Sequence, residues 1–366
     1  MKNYILRRLL LIPVTLFGIT FLTFLIMKLA PGDPQMLKLM FAPEGMNPDA
    51  LAALLKSKEP VLELPEAYLS FTQSLSESIH GAALSPESLH DQSTYKALES
   101  LGRNAVFYAK WLKGFLTFDL GLSSKDRLPV AQKIKNALPI TLLINFLSIG
   151  LIYLISIPLG IWSALNKDSV LDKVVMVKLF ILYSLPSFWV AMMLLTYLAG
   201  GEYLNLFPLI GYRSDYYEEL SFLGKVLDMA WHLVLPVTVS TIGGFAFLTR
   251  FARSNFLDVI SQDYIRTARA KGLPRAKVLF KHGLRNALIP FVTLMGTLLP
   301  SMLGGSVIIE QIFNIPGMGM LSFEAVLQRD HNVIMAIASI SATLTLVGIL
   351  ISDLLYVVVD PRIKLE

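Results

Sequence analysis

The chain has 366 residues, of which 54% are hydrophobic and 16% charged, against roughly 25% charged in an ordinary soluble domain; that balance excludes a soluble globule. The net charge of +5 would suit a nucleic-acid binder, but the positive residues gather in one connection and beside apolar runs, where they set topology and leave no nucleic-acid surface. The sequence has no cysteine, which excludes disulfides, thiolate metal sites and cysteine nucleophiles.

Lys2, Arg7 and Arg8 precede a run from Leu9 to Ala30 that is apolar apart from threonines, Lys28 and one glycine. It is longer than the roughly 7 to 15 apolar residues of a signal peptide. PGDP (Pro31 to Pro34) is also a poor cleavage site, so residues 1–30 read as an uncleaved first span with the N-terminus in the cytoplasm. Lys28 snorkels to the headgroups at the outer end. Residues 31–137 are mixed polar and are expected to form an extracytoplasmic helical domain. Asn47-Pro48-Asp49 and Ser85-Pro86-Glu87 are helix-start signals there. Tyr95, Leu98, Leu101, Ala105, Tyr108, Trp111, Leu112 and Phe115 trace an amphipathic helix, whose apolar face either packs on the membrane or bundle or receives an extracytoplasmic partner. No motif is visible between Pro43 and Lys110.

Residues 138–366 hold five more spans. The second, Leu138 to Ala164, contains Pro139, Pro158 and Asn145, the last either interhelical glue or a substrate ligand. NKDSVLDK (Asn166 to Lys173) is cytoplasmic by alternation, and the third span, Val174 to Ala199, carries Pro186. Gly200 to about Ala230 returns outside, with Arg213 and Lys225 against Glu202, Asp215, Glu218, Glu219 and Asp228. The fourth span, Trp231 to Thr249, starts on an interfacial tryptophan, carries a headgroup-level His232 and contains Gly243-Gly244, which permits close helix approach. The fifth, Ala287 to Ile309, holds Pro290, Pro300, Gly304 and Gly305 and is placed along the pore as the most deformable helix. FNIPGMGML (Phe313 to Leu321) reads as a tight re-entrant or surface turn. The sixth, Val333 to Val359, contains Asp353, the single acidic residue at membrane depth; it serves either a structural pair with an arginine or backbone amide, or proton transfer. The sum is an all-α, polytopic protein of six spans with both termini cytoplasmic.

Between the fourth and fifth spans, residues 250–285 carry Arg250, Arg253, Arg266, Arg269, Lys271, Arg275, Lys277, Lys281 and Arg285 against Asp258 and Asp263. Such a loop stays in the cytoplasm. Within it Asp263 to Gly272 reads as a short helix, because Ile265, Ala268 and Gly272 recur on one face. Gly272 caps it, Pro274 starts the next turn, and Pro274 to Arg285 reads as a second helix. A helix, a Gly-Leu-Pro corner and a second helix beneath a membrane make a docking element for a cleft on a soluble partner.

TARAKG with the RNALIP run (Arg285 to Pro290) resembles the coupling loop of ABC importer permeases in their oligopeptide/dipeptide (Opp/Dpp) branch, which are MetI-like in fold. Thr267 and Ala268 lie where that family has an Ala-Ala pair, Gly272 matches its glycine and Arg266 stands in place of its glutamate. FDLGLS (Phe118 to Ser123), LPIT (Leu138 to Thr141), SIPLGI (Ser156 to Ile161), GGEYLNLFPLIG (Gly200 to Gly211), WHLVLPV (Trp231 to Val237), FNIPGMGML and the terminal DPR are similar to family segments, nearest to those of the Yej-type oligopeptide permeases. The resemblance implies half of a translocation pore in a bacterial inner membrane. It implies as partners a homologous second permease forming a heterodimer, two cytoplasmic ABC ATPase subunits and an extracytoplasmic peptide-binding protein. It assigns coupling to Asp263, Tyr264, Arg266, Thr267, Ala268, Arg269, Ala270, Lys271, Gly272, Leu273 and Pro274. Candidates for the pore or its gate are Asn145, Pro186, Pro290, Pro300, Gly304, Gly305 and Asp353.

No phosphate-binding G-x-x-x-x-G-K-[ST] loop occurs and the histidines are scattered, so ATP is hydrolysed elsewhere and no catalytic, cofactor or metal residues are expected. Two alternatives stay open. An ion-coupled secondary transporter would need several carboxylates at mid-membrane and an internal repeat; a permease of the same branch would carry dipeptide, nickel or another small solute.

Overall fold

The computed structural model describes residues 2–29, 92–200, 203–291 and 304–359, together with Leu294, Leu298 and Met302. The helices are α1 (Lys2–Leu29), α2 (Gln92–Leu116), α3 (Val130–Leu165), α4 (Val170–Ser184), α5 (Ser187–Leu198), α6 (Phe222–Ile260), α7 (Asp263–Ala270), α8 (Val307–Ile312), α9 (Met318–Leu327) and α10 (His331–Val359). Among the described residues the one extended pairing is an isolated bridge between Leu122 and Pro129. The Lys28 side chain, the helix starts at Asn47 and Ser85, Pro300 and the terminal DPR lie outside the described residues.

Among the described residues four helices are long and apolar enough to cross a membrane: α1, α3, α6 and α10. α3 runs unbroken through Pro139 and Pro158, as membrane helices can where neighbours satisfy the freed carbonyls. The expected third span, Val174 to Ala199, is built of two helices, α4 and α5, meeting at 95°. The break follows from Pro186, which pushes the residue before it out of helical backbone; Leu185 is extended at φ −78, ψ 128. Within the fifth expected span, Ala287 to Ile309, residues 292–293, 295–297, 299–301 and 303 lie outside the described residues.

The chain divides into two compact units. The first comprises Met1–Leu16, Ile134–Glu324 and Ile340–Glu366. Its largest apolar cluster joins Ile140 and Ile144 of α3, Ala191 and Leu195 of α5, Leu233 and Val237 of α6, and Ile309 of α8. Gly244 lets α6 approach α3, since a Cβ there would lie 2.4 Å from the Ile152 Cδ1 atom.

The second unit comprises Phe17–Lys133 and Ala325–Ser339. Here the apolar face of α2 packs on the chain's own first span: Tyr108 and Trp111 bury with Phe24 and Met335, and the Tyr108 hydroxyl shares a 2.7 Å hydrogen bond with Thr20 Oγ1. The loop after α2 is tied to the start of α10. Ser123 Oγ donates to the buried Asp330 carboxylate, and Asn332 Nδ2 donates to the Leu122 carbonyl at 2.8 Å.

Candidate functional site

α6 has 39 residues, about 58 Å at the helical rise, against roughly 30 Å of hydrocarbon in a bilayer. It therefore continues beyond its apolar part and carries Arg250 and Arg253 to the turn at Ser261. There α7 begins, with Asp263 in its first turn, where a carboxylate complements the helix dipole. Arg266 lies 3.6 Å from Asp263 with both side chains largely exposed, a pair of little energetic value.

The short helix buries one face against its own chain. Ile265 is fully buried and Ala268 nearly so, against Val278 and Leu273. Ala268, expected among the coupling residues, is buried on the same face as Ile265. The outward face presents Tyr264, Arg266, Thr267, Arg269, Ala270 and Lys271, all exposed. Asn286 Nδ2 donates to the Tyr264 hydroxyl at 3.1 Å and braces that face.

The corner that follows is a Schellman cap. Gly272 has φ +75; its N–H donates to the Arg269 carbonyl at 2.9 Å and the Leu273 N–H to the Ala268 carbonyl at 3.4 Å. Leu273 packs back on Ala268, the apolar contact that accompanies this motif. Pro274 then starts the next element at φ −57. A cleft of about 390 Å³ beside the corner is lined by Arg269, Leu273, Arg275, Val278 and Leu279.

The second helix expected over Pro274 to Arg285 is present but changes type along its length. After Arg275–Lys277 it widens into a π-helix over Val278–Leu284 before closing as Arg285–Ala287. Val278, Gly283 and Ala287 are all buried. A step of five residues from 278 to 283 keeps them on one face only with the wider turn. Gly283 and Ala287 meet Phe256 of α6, which is 1% exposed, while Val278 packs on Ile265 and Ala268.

The pore candidates scatter. Asn145 Nδ2 donates to the Met302 carbonyl at 2.6 Å, tying the second span to the fifth. Pro186 makes the 95° break, and Pro290 is half-buried in a helical stretch. Gly304 has open space around it. Asp353 lies 3.2 Å from Arg8, one from each end of the chain.

Gly305 leads to a residue that the sequence reading missed. Gly305 has φ +59, and a Cβ there would lie 2.5 Å from Glu310 Oε1. Glu310 is 3% exposed. Its carboxylate accepts from Thr141 Oγ1 at 3.0 Å and from the Met320 N–H at 2.8 Å, while Thr141 Oγ1 accepts from the Met318 N–H at 2.8 Å. The FNIPGMGML segment is thus no surface turn: Phe313, Ile315 and Met318 are buried, and its glycines make room for the carboxylate. The available signal was one acid inside the apolar run SVIIEQIF.

A family model described as the binding-protein-dependent transport system inner membrane component matches residues 156–365. Over 365 residues the chain is 40% identical to the oligopeptide transport system permease protein AppB of Bacillus subtilis, all of both chains being covered. It is 33% identical over 372 residues to the inner membrane ABC transporter permease protein YejB of Escherichia coli O157:H7, again over all of both. To the dipeptide transport system permease protein DppB of Escherichia coli it is 32% identical over 380 residues, covering 100% of this chain and 99% of that one.

Proposed function

Since the chain belongs to the binding-protein-dependent transport system inner membrane components, we propose that it forms half of the pore of an ATP-driven importer for oligopeptides. The family sets aside the ion-coupled secondary transporter. The names of its relatives support peptide as cargo, AppB and DppB being oligopeptide and dipeptide permeases; within that branch dipeptide, nickel or another small solute is the second reading. A binding protein delivers the cargo to the outer mouth. This chain pairs with a homologous permease, and two ATPase subunits sit beneath them. The basic residues of 250–285 against the mainly acidic 200–230 segment support cytoplasmic termini.

The outward face of α7 carries the reading. Its apolar side is already buried against Val278 and Leu273, so the face left for a partner is cationic and held in place by the Gly272 corner. Closure of the ATPase subunits around that face becomes a rigid-body tilt of the helices behind it. ATP shifts the pore only by its differential affinity for the two states, so the docked contacts must differ between them.

The test uses the absence of native cysteine. Ala270→Cys, paired with a cysteine in the cleft of the ATPase subunit, is expected to crosslink to an extent that changes with nucleotide. An assembled complex in which no such crosslink forms, with or without nucleotide, refutes the docking.

A further inference from the structure

The connection between α3 and α4 meets α6 at one buried carboxylate. Asp172 is 2% exposed and lies in the first turn of α4, where its N–H donates to Ser169 Oγ at 3.1 Å. Arg253 of α6 gives this carboxylate Nη2 at 2.8 Å and Nε at 3.3 Å, one to each oxygen. The Asp168 N–H donates at 3.1 Å, and Ser163 Oγ, near the end of α3, donates to Oδ1. Asp168 holds φ +66, a conformation that non-glycine residues adopt at a cost and that here turns its N–H onto the carboxylate. At the same level α3 and α6 touch almost backbone to backbone: a Cβ on Gly160 would lie 2.5 Å from Ala252 Cβ and 2.6 Å from the Thr249 carbonyl oxygen.

This junction is continuous with the cationic corner. One turn beyond Arg253, Phe256 packs on Ala164 and Ala287, and a Cβ on Gly283 of the π-helix would lie 3.5 Å from its ring. Val278 of the same π-helix packs on Ile265 and Ala268 of α7. A displacement of α7 therefore has packed side chains behind it as far as Arg253, and at Arg253 it reaches α3 and α4.

We infer that Asp172 and Arg253 are positioning residues for transport: their two-point contact locks the inner ends of α3 and α4 to α6, so that the docked loop moves all three together. The inference rests on the coupling reading above and adds the place where the push leaves α6. A buried ion pair is by itself weak evidence for stability. Its value here is geometric, since a guanidinium contacting both carboxylate oxygens fixes orientation as well as distance.

The experiment reconstitutes the whole importer, with ATPases, second permease and binding protein, and measures ATP hydrolysis and peptide uptake together. Asp172→Asn and Arg253→Gln are each expected to keep ATP hydrolysis while lowering peptide moved per ATP roughly fivefold or more. The double variant should match the singles, because either change removes the same link. It leaves no unpaired buried charge, so it carries the test if a single variant fails to assemble. Peptide moved per ATP at the wild-type level in the assembled double variant overturns the inference, as does a double loss equal to the product of two single losses. Wild-type protein that moves peptide without ATP would sink the importer reading beneath it.

Discussion

Gly272 offers the most direct perturbation of the coupling corner, because its surroundings separate strain from sterics. A Cβ at this position meets no atom within 4 Å, so an added side chain acts only through φ +75. Alanine in that region costs about 1–2 kcal/mol. Asparagine tolerates it better and a β-branched residue worse. Against this strain stand the two corner hydrogen bonds, from Gly272 and Leu273, each worth about 0.5–1.5 kcal/mol net. The strain of Gly272→Ala thus matches most of what holds the corner. A shift of about 1.4 kcal/mol changes the ratio of formed to open corner about tenfold, and the apparent affinity of the ATPase for the loop falls with the fraction that is formed. The expected order is Gly, Asn, Ala, Val, read as the ATPase concentration giving half-maximal crosslinking to Ala270→Cys, with membrane insertion unchanged. Asparagine as damaging as valine, or alanine as good as glycine, would refute the argument that the left-handed corner sets the affinity.

Glu310→Ala should lower the thermal stability of the detergent-solubilised protein by about 1–3 kcal/mol for each buried donor left unpaired, the donors being Thr141 Oγ1 and the Met320 N–H; Glu310→Gln, which keeps an acceptor oxygen, should lose less. Gly317→Ala should destabilise by about 1–3 kcal/mol in the same unfolding assay, because its Cβ would sit 2.4 Å from the Glu310 carboxyl carbon. Gly243→Ala, with nothing within 4 Å, should stabilise by up to about 1 kcal/mol through helix propensity. Asp126 is held at about 2, down from 3.8, chiefly by its bond to Lys133, the two groups lying 2.7 Å apart. A depressed carboxylate contributes its stability above the unfolded value and loses it as pH falls through the folded one. The melting advantage of wild type over Asp126→Asn should therefore be constant above about pH 5 and vanish towards pH 2. It should also shrink in high salt.

How much of this was legible in the sequence depended on whether a neighbour had to be known. α1 and α10 follow from long apolar runs, and α7 with its corner from the spacing of Ile265 and Ala268 and the Gly-Leu-Pro that ends it. Proline was ambiguous: Pro139 and Pro158 sit inside an unbroken α3 while Pro186 breaks the chain by 95°, and only the packing around each decides which. Periodicity placed Ala268 on a face with Ile265 but did not say that the chain's own Val278 would cover it. The π-helix needed a step of five that a search for period 3.6 passes over. Glu310 showed in the sequence only as an acid in an apolar run, and its partner could not be read there, since Thr141 lies far away in the sequence.

α6 joins the segment that ends at Ser221 to the cationic corner past Ile260 without interruption. A rod of this kind is sensitive to its residue count as well as to its side chains. Each residue added between Pro236 and Arg253 would turn one end against the other by about 100° and lengthen the rod by about 1.5 Å. Arg253 would then face away from Asp172 while every local contact of α7 stayed intact. Under the proposed coupling, length and phase along this helix are functional quantities, and transport should tolerate substitutions in it far better than an insertion.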